Sequence, residues 1–236
     1  MGSNRQAVII AHRGASAVAP ESTRAAILTA IAAGAEMIEL DVQMTRDGRL
    51  VVFHDDRLER TTNGSGCVTA VRYAQLAHLD AGGWFSPRFA GERILLVSQV
   101  LHLIPPSIRI NLELKRVSNP RALLHRFIRL IQQDWKRVLI SSFDGRLLAP
   151  LQQTRFARAL ICRDHPHWSL RRAVQLGCQA WHPLDRLVTR QHIARAHAAG
   201  LRVHPWVVDN LPRARQLLRW GADGVFTNDP GRLRRL

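Results

Sequence analysis

The residues of this 236-residue chain best suited to chemistry fall in four short motifs: His12-Arg13-Gly14, Glu39-Leu40-Asp41, His54-Asp55 and Glu113-Leu114-Lys115. On a β-strand the first and third residues of E-x-D or E-x-K project to one face, because side chains alternate with a period of two. Carboxylates gathered at one low-dielectric mouth repel one another unless a cation lies among them. Oxygen-only ligation by Glu39, Asp41 and Glu113, with positions left for water and a phosphate oxygen, suits Mg²⁺ or Ca²⁺ better than zinc. His12 and His54 add proton transfer near neutral pH, one taking a proton while the other gives one. Arg13 offers a planar fork that matches phosphate oxygens, and Lys115 a second cation. Together these groups read as phosphoester cleavage. Alone, an E-x-D pair is usually an ion-pair partner and a His-Asp pair a turn; four such motifs at successive strand ends have no common structural reason to coincide.

The elements that must position them alternate. β-rich runs at 7–11, 37–42, 50–53, 108–114, 138–141, 157–162, 179–182, 201–208 and 224–227 are interleaved with apolar three- and four-residue spacing at 22–33, 121–133, 170–176, 190–199 and 212–220. Such alternation predicts parallel βαβ construction, and Gly200 and Gly221 stand where helix C-caps are expected. The expected fold is an α/β TIM (β/α)8 barrel, which assembles its active site at the C-terminal strand ends, where the motifs lie. Residues 55–93 break the rhythm with turn signals at Asn63-Gly64, Gly82-Gly83 and Ser86-Pro87. This segment is too long for a plain connection, and its apolar residues (Val68, Leu76, Leu79, Trp84, Phe85, Phe89) predict a small folded insertion after the second barrel strand region. Trp84, Phe85 and Phe89 are expected to fix it to the rim.

Length and a 46% hydrophobic composition fit one barrel domain over residues 1–236. The apolar runs are far too short for a membrane span or a signal-peptide core, which predicts a soluble, cytoplasmic protein without membrane insertion. Cys67, Cys162 and Cys178 are widely spaced and form no metal pattern, so they are expected to be reduced thiols. The net charge of +16 invites a polyanion. The arginines are scattered, however, without aromatic-interleaved basic patches, so a solvated surface and no specific nucleic-acid partner are expected. Lysine occurs only at Lys115 and Lys136 in this arginine-rich chain, which draws attention to the lysine kept in the E-x-K triplet.

The chain resembles the glycerophosphodiester phosphodiesterase family, above all its small cytoplasmic bacterial enzymes. The likeness rests on the four motifs together with Pro20-Glu21, Arg60-Thr61-Thr62-Asn63-Gly64, Leu79-Asp80-Ala81-Gly82, Leu95-Leu96-Val97-Ser98-Gln99-Val100, Ser142-Phe143, Trp206-Val207-Val208 and Asp223-Gly224-Val225-Phe226-Thr227. It departs at Ser22, where the family usually has Asn, and at Asp209, inserted in the Trp/Tyr-Thr-Val-Asn ending. The resemblance implies one divalent metal on Glu39, Asp41 and Glu113, acid/base histidines at His12 and His54, and phosphate-binding cations at Arg13 and Lys115. It also implies substrate-lining aromatics at Phe143 and Trp206, and hydrolysis of a small glycerophosphodiester to glycerol 3-phosphate and an alcohol.

Overall fold

The structure, a computed structural model, describes residues 7–117 and 119–234. These residues form nine strands: β1 (Val8–His12), β2 (Met37–Met44), β3 (Leu50–Val52), β4 (Arg109–Leu114), β5 (Val138–Ser142), β6 (Ala157–Cys162), β7 (Ala180–Pro183), β8 (Arg202–Val203) and β9 (Gly224–Thr227). Eight of them run parallel in the order β8-β7-β6-β5-β4-β2-β1-β9. The two ends of this ladder meet through backbone hydrogen bonds: Asp223 N–H to Val203 O and Phe226 N–H to Pro205 O, each 3.0 Å, and Val208 N–H to Phe226 O, 2.8 Å. The result is the expected eight-stranded β/α barrel.

Among the described residues nine helices accompany the strands: α1 (Arg24–Ala32), α2 (Tyr73–Leu76), α3 (Val97–Leu103), α4 (Pro120–Ile131), α5 (Gly145–Leu148), α6 (Pro166–Gln175), α7 (Arg190–Ala198), α8 (Leu211–Arg219) and α9 (Pro230–Leu233). Their starts are set locally. Thr23, Asn119, Thr189 and Asn210 each accept a hydrogen bond from a backbone N–H in the first turn of α1, α4, α7 and α8. None of the described helices is long and apolar enough to cross a membrane.

Alternation along the strands sorts the core into two layers. Ile38, Leu40 and Val42 on β2, and Ile110, Leu112 and Leu114 on β4, face outward and pack with the helices. The bore is filled by Val8, Ile10, Met37, Leu139, Ala159, Ala180 and Phe226. Glu39, Asp41, Asn111 and Glu113 occupy the positions between the outward residues, so they face the bore and its upper mouth.

Three expectations are corrected. The run at 50–53 is a strand, but β3 pairs antiparallel with β2 (Val42 opposite Val52) and lies outside the barrel. Periodicity reports extended chain without naming its partner. The run at 201–208 is regular only over Arg202–Val203, because Pro205 has no N–H for the ladder. Beyond it, Trp206 binds back to β7 through its N–H and Pro183 O, 3.0 Å. The insertion is anchored by Leu58, Val68, Leu76, Ala81 and Ile94 packing on Val51 and Phe53. Trp84, Phe85 and Phe89 instead stack edge-on with one another, and Trp84 is 42% exposed.

Candidate active site

Arg13 leaves β1 in the left-handed region, φ 56, which few non-glycine residues adopt. That turn aims its backbone N–H at Glu39 Oε2, 3.1 Å away, and its Nη1 at Glu21 Oε1, 3.0 Å. Its Nε lies 3.2 Å from Asp41 Oδ2, close enough to attract but not aligned as a hydrogen bond. Gly14 follows at φ 81 against α1, where a Cβ would meet the Ala26 carbonyl carbon at 2.7 Å. Only glycine permits both the turn and this approach.

Glu39, Asp41 and Glu113 are all buried, and one oxygen of each lies within 4.8 Å of the others. Lys115 reaches between two of them, its Nζ 2.8 Å from Asp41 Oδ1 and 2.5 Å from Glu113 Oε1. Burial lifts Glu39 well above the usual carboxylate range, with Asp41 and Glu113 adding to the rise. Burial, then Asp41, lifts Glu113 to about 7. Burial pushes Asp41 the same way, but Lys115 and Arg13 outweigh it and hold it at about 2. Three carboxylates with two protonation equilibria pushed upward describe a site short of positive charge. Glu39 Oε1 and Asp41 Oδ2 are also buried without a hydrogen-bond partner among the described residues. Both observations fit a hard divalent cation.

His12 ends β1 and is held from behind. Its Nδ1 lies 2.7 Å from Asn228 Oδ1. The backbone N–H and Nδ2 of Asn228 donate to the two oxygens of Asp209, each at 2.7 Å, and Thr227 Oγ1 donates to the same carboxylate at 2.8 Å. With its amide N–H spent on Asp209, Asn228 turns oxygen toward the imidazole, so His12 Nδ1 carries the proton and Nε2 is the acceptor. Nε2 points to the carboxylates, 4.0 Å from Glu39 Oε2. Burial, then Arg13, lowers His12 to about 4, which keeps it neutral.

His54 follows β3, and three carbonyls carry its loop: Gln43 Nε2 donates to those of Phe53, His54 and Asp55 at 3.1, 3.3 and 2.6 Å. His54 Nδ1 lies 2.5 Å from Asp55 Oδ1. Burial, with Lys115 and Arg13, lowers His54 below the usual imidazole range, and the opposing pull of Asp41 and the Asp55 hydrogen bond only partly offsets it. Arg60, from the insertion, grips Asp55 through Nε and Nη2 and also donates to both oxygens of Glu21 at 2.9 and 2.7 Å. A chain of ion pairs thus runs from Arg13 through Glu21, Arg60 and Asp55 to His54.

Phe143 and Trp206 meet edge-to-face with centroids 5.6 Å apart, and Trp206 Nε1 donates to His182 O at 2.8 Å. Both line a cavity of about 280 Å³ that holds His12, Arg13, Glu39, His54, Glu113 and Lys115. An open groove of about 1220 Å³ continues from it past Phe143 and Lys115. Every residue singled out in the sequence therefore reaches one mouth; only Asp41 is set behind the cavity wall, next to Lys115 and Arg13. Sequence reasoning missed Asn228 and Gln43, and met Asp209 only as a departure from the family's ending, not as the clamp on Asn228. Asn228 directly follows the last strand, a position that could have flagged it.

A model of the glycerophosphoryl diester phosphodiesterase family matches residues 12–232. The chain belongs to this family. With that membership comes the reaction class, phosphoric diester hydrolysis. Family relatives include the glycerophosphodiester phosphodiesterases of Caldanaerobacter subterraneus subsp. tengcongensis, 35% identical with 94% of each chain covered, and of Bacillus altitudinis, 34% identical with 95% of each covered. Among solved structures, an Oleispira antarctica phosphodiesterase in complex with the product sn-glycerol-3-phosphate superposes with a TM-score of 0.91 at 30% identity, over 97% of this chain and 95% of that one. A glycerophosphodiester phosphodiesterase from Agrobacterium tumefaciens gives 0.85 at 27% identity, over 98% and 100%.

Proposed function

We propose that this single-domain, cytoplasmic enzyme hydrolyses glycerophosphodiesters to glycerol 3-phosphate and an alcohol at a divalent metal, Mg²⁺ or Ca²⁺. The observation that carries the reading is the buried trio Glu39, Asp41 and Glu113, with unpartnered oxygens, beside an imidazole whose tautomer is fixed. The trio would hold the metal, which supplies positive charge to the phosphate oxygens when bound. Arg13 and Lys115 add their charge on either side of Asp41. His12 Nε2, free of a proton, accepts one from the attacking oxygen. His54, oriented through Nδ1 by Asp55, delivers a proton from Nε2 to the departing alcohol oxygen. Phe143 and Trp206 wall the small cavity, which suits the compact glycerol moiety, while the open groove takes the alcohol. Three free cysteines, two of them buried, suit a reducing compartment.

The test is glycerol 3-phosphate release from a panel of glycerophosphodiesters, with and without chelator. Release should stop in excess EDTA and return with Mg²⁺ or Ca²⁺. Asp41→Asn and Glu113→Gln should each nearly abolish turnover in folded protein. Full activity under chelation, or in either variant, would remove the metal from the mechanism.

A further inference from the structure

The far end of the barrel carries a second cavity, of about 880 Å³, whose lining includes Arg109, His197, Arg202, His204 and Asp223. It lies at the N-terminal ends of the strands, away from the catalytic mouth. Arg109 begins β4 and Arg202 begins β8, and three strands separate these two in the ladder. Ile110 and Val203 next to them pack outward with the helices, so both arginines face the bore, from opposite walls.

Among the described residues neither guanidinium has a hydrogen-bond or ion-pair partner, and Arg109 feels Glu36 only at longer range. The neighbouring acids are committed elsewhere. Glu36 Oε2 accepts from Ile9 N–H at 3.1 Å, and Asp223 Oδ2 accepts from Val203 N–H at 2.8 Å and lies 2.9 Å from His197 Nε2. Burial, then Arg202, disfavours the charge on Arg109. His204, 1% exposed, lies along the same cavity, with its Nδ1 3.1 Å from His182 Nε2. Among the described residues, two half-buried cations and two imidazoles thus line one concave space with a single, already occupied carboxylate.

We propose that this N-terminal mouth is a second anion site, which takes a doubly charged oxyanion, phosphate or a phosphate monoester, between Arg109 and Arg202. Guanidinium forks match phosphate oxygens in pairs, and an anion between them removes the repulsion that each imposes on the other. The cavity is larger than a bare phosphate needs, so an ester group can accompany it. Because His204 touches His182, and His182 lines the catalytic cavity, a hydrogen-bonded imidazole pair joins the two spaces.

The experiment follows histidine ring signals by NMR in the full-length, metal-loaded protein, titrated with inorganic phosphate and, separately, with glycerol 3-phosphate. The His197 and His204 rings should shift saturably, on a curve distinct from that of His12 and His54. Arg109→Met or Arg202→Met should weaken that response by roughly tenfold or more while leaving cleavage unchanged, and Arg13→Met should leave it intact. A tighter response to the ester shows that the cavity also grips the organic part, and an equal response shows recognition of phosphate alone; both uphold the site. The proposal falls if neither ring moves in the wild-type protein at up to about 10 mM phosphate. It falls equally if the Arg202→Met protein responds as the wild type does.

Discussion

At the scale of single residues, the two histidines differ in what stands behind them. Asn228 presents an oxygen to His12 and fixes it as a neutral acceptor, whereas Asp55 presents a carboxylate to His54 and favours its cation. His12→Ala and His54→Ala should each lose roughly a hundred- to ten-thousand-fold in rate, the usual worth of a positioned acid or base. A p-nitrophenyl leaving group, which departs without a proton, should rescue His54→Ala and not His12→Ala. Equal rescue, or none, would reverse or dissolve the division of labour. His204 makes a separate prediction, about stability. Burial, then Arg202, lowers it from 6.5 to about 3, so between those values the unfolded chain binds a proton that the folded one refuses. Stability should therefore be at full strength above pH 6.5 and fall as the pH drops toward 3, by about 1.4 kcal/mol per pH unit from this one group. In denaturant titrations between pH 5 and 6.5, His204→Gln should flatten the slope; an unchanged slope would show that the ring is already charged in the fold.

The elements explain why the motifs were legible and their supports were not. β1, β2 and β4 deliver His12, Glu39, Asp41 and Glu113 by alternation alone, and alternation is visible in a sequence. Asp209 and Asn228 act by a side-chain clamp across a loop, and in a sequence an Asp and an Asn after a strand read as turn formers. α3 escaped notice because its apolar residues span too few turns to show a period. β3 was read as a strand but placed in the barrel, since its antiparallel partner is set by tertiary packing. The insertion was read correctly as folded, yet its link to the chemistry is polar: Arg60 holds Asp55 and Glu21 together. Arg60→Gln should lower kcat by roughly ten- to hundredfold, as loss of an outer partner typically does, with little change in KM. The p-nitrophenyl substrate should be less affected, because the damage passes through His54. A loss confined to KM would make Arg60 a substrate contact instead.

At the scale of the whole molecule, the barrel was legible because eight parallel strands with covering helices repeat one pattern, and repetition survives errors at single boundaries. Its evenness was not legible. β2 and β4 share six paired positions, whereas β7 and β8 share two, and β8 meets β9 only through loop hydrogen bonds. Deuterium should therefore enter the backbone of Val203, His204 and Trp206 well before that of Leu40 and Leu112, since local opening begins where pairing is sparsest. The same seam carries Trp206 and runs on to Asp209, whose carboxylate aligns Asn228 and, through it, His12. On gentle warming the enzyme would first lose the alignment of its base while the carboxylate trio on β2 and β4 still kept its shape. Heat would then silence the reaction ahead of the melting transition, and cooling would restore it.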